Sequence, residues 1–441
     1  MTSWPHHDKG VTMRNVYELM TDVELDEAIR QLEGQADEIR ARGLSLDMAR
    51  GKPSVDQTNL SRPMLDLLTS DSDLTDEGAP ADNYGIPDGL PSARRLAAEL
   101  LGVDAANVLV NGSSSLNLMH DAVSNAYTHG IAGNAPWCQQ GEVKFLCPSP
   151  GYDRHFGVTA HYGITNVPVA MTPDGPDMDE VQRLVEGDPQ VKGIWCVPKY
   201  ANPTGISYSD ETVRRFAALK PAAPDFRIFW DNAYIVHDLY DEGDKLLNIF
   251  DALAEAGNDN LVYEFASTAK ITFPSSGMAF VTASPADIKE LRSVFAVMRV
   301  SPEKLTQLMH VRFLPNVDAV RAHMAKHAAI LRPRFELVQE KLESGLGDAG
   351  IASWTNPRGG YFVSFDGPEG SAKRTVGLMK ELGVTLTGAG ATWPYGDDPH
   401  DSNIRIAPTY PSLEQLGDAL DVFVVVVRLV AAKLVRERRQ A

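Results

Sequence analysis

A chain of 441 residues, 43% hydrophobic and 23% charged, has the profile of a soluble globular protein with length enough for two domains. Its 41 Lys and Arg against 59 Asp and Glu leave a formal net charge of −18. That excludes a broad surface for nucleic acid or for an anionic membrane, since both need positive charge, but it leaves room for a local basic pocket.

At the start of the chain, Met1 to Gly10 lack the apolar core of a secretory signal. Helical spacing of apolar and charged residues runs from Leu25 to Arg42, and a loop with Arg50-Gly51-Lys52-Pro53 follows. Leu60 to Asn83, rich in Asp, Ser, Thr and Pro, reads as irregular connection. Arg94 to Leu101 reads as a helix ended by Gly102. Strand-length apolar runs then recur at Val108–Val110, Val143–Cys147, Gly193–Val197, Phe226–Trp230, Asn260–Phe265 and Met278–Thr282, with helical or mixed segments between them. Strands alternating with helices imply βαβ units and a mostly parallel sheet. After Ser301 the pattern turns helical, over 304–313 and 317–342, the second with Pro333 as a kink and a stop before Gly345. Gly359-Gly360-Tyr361-Phe362-Val363, a helix near 373–382, a strand near 384–386 and a helix from Leu413 to Arg438 complete the chain. Within that last helix Val422–Val427 is far too short to span a bilayer and reads as a buried face. Cys138, Cys147 and Cys196 are odd in number and widely spaced. Neither a disulfide framework nor a metal site is expected, and reduced thiols in the cytoplasm are.

Most of the residues able to carry chemistry follow the ends of apolar strands, where open α/β sheets bind ligands. Lys270 closes Ser267-Thr268-Ala269-Lys270, and a lysine there forms a Schiff base with an aldehyde if its surroundings lower its pKa. Asp231 ends a strand and Tyr234 follows three residues later. A carboxylate beside a pyridine nitrogen keeps that nitrogen protonated; by itself Asp231 would be a helix cap. Tyr200-Ala201-Asn202-Pro203-Thr204-Gly205 and Pro148-Ser149-Pro150-Gly151-Tyr152 are turns that could offer an amide and a flat ring. Asn111-Gly112-Ser113-Ser114-Ser115 opens a helix with small residues and hydroxyls, which suits a phosphate. Arg405, between Ile404 and Ile406, presents a planar fork that matches a carboxylate. Each alone would pass for a surface turn or a solvated charge.

In this order the motifs resemble the fold-type I aminotransferases of classes I and II, which use pyridoxal 5′-phosphate. The chain is most similar to their divergent bacterial aspartate aminotransferase branch, in phrases such as Cys147-Pro148-Ser149-Pro150-Gly151-Tyr152-Asp153-Arg154-His155-Phe156 and Asn232-Ala233-Tyr234. The resemblance runs from Arg50 to Arg405. It implies an α/β fold, with a large domain over 65–325 whose mostly parallel seven-stranded sheet lies between helices, and a smaller α+β domain made of 1–64 and 326–441. It implies that Lys270 anchors the cofactor and afterwards moves a proton, and that Asp231, backed by His155, pairs with the pyridine nitrogen. Tyr152 would stack on the ring, and Asn202 and Tyr234 would contact its phenolate oxygen. Ser113, Ser114, Ser115 and Ser267 would serve the phosphate, with Tyr84 reaching the phosphate of a neighbouring subunit. Arg405 and Gly51 would hold the substrate α-carboxylate.

The implied reaction transfers the amino group of aspartate to 2-oxoglutarate by a ping-pong cycle through pyridoxamine phosphate, in a homodimer with active sites at its interface. An aminotransferase for aromatic or neutral amino acids, or a β-lyase, would use the same residues. An effector domain of a transcription regulator would need a DNA-binding unit, and the roughly 60 residues before the fold hold neither a helix-turn-helix nor a basic stretch. One departure stands out. Most relatives place an arginine some eight residues after the lysine to neutralise the phosphate, whereas Ile271 to Met278 holds no basic residue. Ser275, Ser276 or a cation from elsewhere must substitute. For a second substrate carboxylate the expectation is Arg299, donated across the dimer, with Arg50 and Lys52 as competitors.

Overall fold

The computed structural model describes residues 14–441; Met1 to Gly10, read above for a signal, lie outside the described residues. The main sheet has eight strands: β1 (Val108–Val110), β2 (Lys144–Ser149), β3 (Thr165–Thr172), β4 (Gly175–Pro176), β5 (Val191–Cys196), β6 (Arg227–Asp231), β7 (Val262–Ser267) and β8 (Ala279–Ala283). Their order across the sheet is β1-β8-β7-β6-β5-β2-β3-β4. The pairs β7/β6, β6/β5, β5/β2 and β2/β3 are parallel. β8 is antiparallel to both of its neighbours, so β1 points the same way as the parallel strands. The expected seven strands are therefore present, and β4 adds a two-residue hairpin arm on the β3 edge.

β5, β6 and β8 are buried along their whole length, as strands covered by helices on both faces must be. Successive residues feed opposite cores. Phe145, Trp195 and Phe229 pack with Leu118 and Met119 of the helix Ser115–His129. Leu146, Ile194 and Ile228 face the other way, into a core that continues through the helices Val317–Leu346 and Leu413–Gln440. Each such side chain contributes roughly 1.5–3 kcal/mol by leaving water.

Two departures from the sequence reading have physical causes. β3 lies outside the six apolar runs read from the sequence, because Pro168 interrupts it and only every second residue or so is buried. Both are features of a strand near a sheet edge. The helix expected to stop before Gly345 runs on to Leu346. A Cβ at Gly345 would lie 2.6 Å from Val424 Cγ1, so this glycine lets two long helices approach closely rather than ending one.

A second, antiparallel sheet joins Ser353–Trp354, Val363–Asp366 and Asn403–Ile406, with Arg405 opposite Ser364. Leu46–Asp47 pairs in parallel with Val384–Thr385, which carries the Arg50–Lys52 loop to the C-terminal third of the chain. No helix among the described residues is long and apolar enough to cross a membrane. Val422, Phe423, Val426 and Val427 are the buried side of the last helix.

Candidate active site

The parallel strands all end on one edge of the sheet, and many of the predicted residues gather there. Asp231 is the last residue of β6 and is buried. Its Oδ2 lies 3.0 Å from His155 Nε2, in the first turn of the helix Asp153–His161. The His155 ring stacks on Trp195 at 4.7 Å and 16°, and Tyr152 meets it edge-on at 4.9 Å. Asp231 Oδ1 is also buried and has no protein partner. A buried carboxylate held through one oxygen by an imidazole, with its other oxygen unpartnered, is costly unless something cationic or protonated meets that oxygen.

Lys270 follows β7 in a tight turn whose amides close on Thr268, Ile271 N and Thr272 N donating to the Thr268 carbonyl at 2.8 and 2.9 Å. Its Nζ sits 4.6 Å from the centroid of the Tyr234 ring. Burial, and then the charge of Asp231, raise the Tyr234 phenol well above its ordinary range, with Arg405 acting in the opposite direction. Burial also raises the Tyr152 phenol, opposed by Lys270. Both hydroxyls therefore stay protonated and can donate.

Arg405 lies largely buried in the second sheet and reaches across to the first. Nη1 donates to Asp153 Oδ1 at 3.2 Å and to Asn202 Oδ1 at 3.3 Å, and Nη2 donates to Thr387 Oγ1 at 3.4 Å. The guanidinium lies 4.8 Å over the Phe362 ring, and its Nε is buried without a partner. Accepting from Arg405 through Oδ1 turns the donor end of the Asn202 amide away from the arginine. A Cβ at Gly51 would stand 2.0 Å from Phe362 Cζ, so only glycine permits this loop to close over the ring.

At the other end, Asn111–Ser115 runs from β1 into the helix Ser115–His129. Ser113 and Ser114 hydroxyls donate to Asn117 Oδ1 at 3.3 and 2.9 Å, and Gly112 N donates to Glu303 Oε2 at 3.1 Å. The turn after Lys270 packs directly against this loop: a Cβ at Gly277 would meet the Ser113 carbonyl oxygen at 2.5 Å. Ser267, the last residue of β7, is half-buried, Ser275 is exposed and Ser276 half-buried.

The remaining predicted residues lie elsewhere on the chain. Tyr84 is 77% exposed. Arg299 forms an ion pair with Asp121 at 2.8 Å. Their segments touch each other, Ser301 Oγ donating to the Gly85 carbonyl at 3.1 Å and Lys304 Nζ to the Tyr84 carbonyl at 3.5 Å. Arg50 pairs with Asp47 at 3.4 Å, and Lys52 Nζ sits 4.1 Å from the Tyr410 ring centroid. Sequence reading did not single out Phe362, Tyr361, Asp153 or Thr387 for the site. The two glycines before Tyr361 and Phe362 were the available signal, because adjacent glycines mark a close backbone approach; Gly359 and Gly360 pack against Tyr200.

Known proteins resemble the chain over most of its length. The family model for aspartate amino-transferase matches residues 20–439. An aspartate aminotransferase of Corynebacterium glutamicum is 42% identical over 398 residues, 90% of this chain and 92% of its own. A Mycolicibacterium smegmatis chain provisionally assigned as an aminotransferase is 47% identical over 387 residues, 87% of this chain and 90% of its own. The crystal structure of an aspartate transaminase from Corynebacterium glutamicum superposes with a TM-score of 0.92 at 40% identity, covering 95% of this chain and 99% of that one.

Proposed function

We propose, for a chain that belongs to the aspartate aminotransferase family and is thereby an aminotransferase dependent on pyridoxal phosphate, that its amino donor is aspartate and its acceptor 2-oxoglutarate. The observation that carries the cofactor reading is the buried, unpartnered Oδ1 of Asp231 beside its His155 pair, on the same strand-end edge as the Lys270 amine. The residues present fit the cofactor: an acid for a ring nitrogen, an aromatic ring to pack on it, a protonated phenol and an amide for a ring oxygen, and hydroxyls with free helix N–H groups for a phosphate. Bound pyridoxal phosphate supplies the carbonyl that takes the amino group and a ring that takes up an electron pair.

The chain's own residues do the rest. Lys270 holds the cofactor and, once free, moves a proton between the substrate Cα and the cofactor C4′ carbon. Asp231 keeps the ring nitrogen protonated and His155 fixes the carboxylate's direction. Tyr152 packs on the ring, while Asn202 and Tyr234 donate to its oxygen. Ser113, Ser114, Ser115 and Ser267 serve the phosphate with the N-terminus of the helix Ser115–His129, which supplies part of the positive potential that no side chain of 271–278 offers. Arg405 and the Gly51 backbone seat the α-carboxylate. In this reading the chain is a cytoplasmic homodimer. Tyr84 and Arg299, on touching surface segments beside the exposed Val297, Met298 and Val300, then act in the partner's site, Arg299 on the substrate side-chain carboxylate.

The test is an absorbance spectrum of the purified protein with pyridoxal phosphate. A visible band is expected that Lys270→Ala abolishes and that aspartate bleaches. A band indifferent to aspartate but bleached by aromatic or neutral amino acids would overturn the donor assignment alone. Failure to form any band would overturn the cofactor assignment.

A further inference from the structure

Behind the Lys270 turn lies a buried polar network that none of the roles above uses. Gln57, in the short helix Val55–Asn59, has its Oε1 engaged by the Ser54 amide at 3.0 Å. Its amide nitrogen therefore has two N–H groups to spend, on the Tyr361 hydroxyl at 2.9 Å and on His327 Nδ1 at 3.1 Å. His327 Nδ1 is thus an acceptor, and its proton sits on Nε2. That atom lies 3.1 Å from His323 Nε2 and is directed at the Ile271 carbonyl. His323 Nε2 is 2.9 Å from the same carbonyl and 3.3 Å from the Ser61 hydroxyl. The Tyr361 hydroxyl, filled on its acceptor side, points its own proton at the Lys270 carbonyl at 3.5 Å. Gln57, Ser61, His323, His327 and Tyr361 are all buried. Burial lowers both histidines, His327 to about 3, so the network is uncharged.

These contacts fall on the two backbone carbonyls that follow the lysine side chain. His323 and His327 of the helix Val317–Leu346 and Tyr361 of the Gly359–Phe362 segment take them up, and Gln57 of the helix Val55–Asn59 holds Tyr361 and His327 from its own amide. Tyr361 and Phe362 are consecutive residues facing opposite ways. Tyr361 meets the lysine turn, while Phe362 lies under Arg405 and against Gly51. One peptide bond therefore joins the seat of the substrate carboxylate to the backbone of Lys270.

We propose that Gln57, Tyr361, His323 and His327 are positioning residues that fix the Lys270–Ile271 backbone and couple it to the carboxylate seat formed by Arg405, Phe362 and Gly51. The proposal rests on Lys270 being the reacting amine. Its physical basis is the sensitivity of proton transfer to placement: an error of about 1 Å in a reacting group costs on the order of a hundredfold in rate. A lysine on a turn, with four rotatable carbons, reaches that precision only if its own backbone is held.

Tyr361→Phe, which removes one oxygen, and Gln57→Leu test it in the full-length protein. Hydrogen exchange of the amides in residues 268–273 is read by mass spectrometry with and without pyridoxal phosphate, beside kcat, KM and the pH titration of the visible band. The expected result is exchange in 268–273 faster by about tenfold or more with little change elsewhere. With it, kcat falls by about tenfold while KM for the amino donor moves by less than about twofold, and the band's titration midpoint is displaced. Unchanged exchange in 268–273 overturns the proposal. So does an increase spread evenly along the chain with kcat and the titration unmoved, which marks a plain packing role. A rise in KM at constant kcat would make the Tyr361 hydroxyl a substrate contact and overturn it as well. Should Gln57→Leu not fold, Tyr361→Phe decides. The exchange arm needs no cofactor, so failure of the wild-type protein to form a band sinks the cofactor reading without deciding this one.

Discussion

At one end of the site Arg405 is gripped within a single chain by Asp153, Asn202 and Thr387 and lies flat on Phe362, with Gly51 closed over the same ring. At the other end Ser113 and Ser114 share one asparagine acceptor, no cation follows Lys270 as far as Met278, and Tyr84 stands exposed on the surface. On the proposed reading, the first end concentrates recognition in one guanidinium whose position three polar partners determine. The second spreads it over hydroxyls, backbone N–H groups and a helix terminus. A concentrated site fails at one residue, whereas a distributed one loses strength by small steps.

That contrast breaks most readily at Arg405. Arg405→Ala is expected to lower kcat/KM for the amino donor by about a thousandfold, roughly 4 kcal/mol, because it removes a charge-assisted fork and leaves Asp153 only the exposed Arg154 at 3.9 Å. Steady-state rates at saturating acceptor measure it, and a loss of less than tenfold would show that recognition at this end is shared after all. Ser114→Ala sharpens the other side. It is expected to raise the dissociation constant for pyridoxal phosphate by about tenfold at most, near 1 kcal/mol for one neutral hydrogen bond, as titrated by absorbance. A loss as large as that of Arg405→Ala would mean that the phosphate end also hangs on one group.

The smallest effect concerns the sheet beneath both ends. Glu264 on β7 lies beside the strand that ends in Asp231, yet it has Asn232 as its hydrogen-bonding partner, at 2.8 Å, where Asp231 has an imidazole. Burial raises its carboxyl from 4.5 to about 8, the Asn232 hydrogen bond opposing. The folded chain thus keeps a proton that the unfolded chain has lost between about pH 4.5 and 8. Stability tied to this group is full below that window and declines as pH rises through it, by at most about 1.4 kcal/mol per pH unit. Glu264→Gln is expected to flatten the decline in urea midpoint between pH 5 and 8 while leaving turnover within about twofold. A decline as steep as that of the parent would assign it to other groups.

Local order is written in the chain. The apolar runs of β1, β2, β5, β6, β7 and β8 were legible because two-sided burial requires continuous hydrophobic stretches. The positions of Lys270, Asp231, Asn202 and Tyr152 were legible because each closes or follows a strand. The partners of those residues were not. Asp153 meets Arg405 across 252 positions, Gln57 meets Tyr361 across 304, and Tyr361 reaches the Lys270 carbonyl across 91. No periodicity spans such separations, and a polar residue on a helix face reads as solvated until another element covers it.

By itself, then, the sequence determined the strands, the turns and the order in which chemical groups leave the sheet, because backbone propensity and burial pattern act over a few residues. Packing between distant segments settled which oxygen of Asp231 is left unpartnered, why Gly345 continues its helix, and that two histidines and a glutamine stand behind the lysine turn. Those outcomes depend on what packs against each side chain, and distant segments meet only once the core has formed.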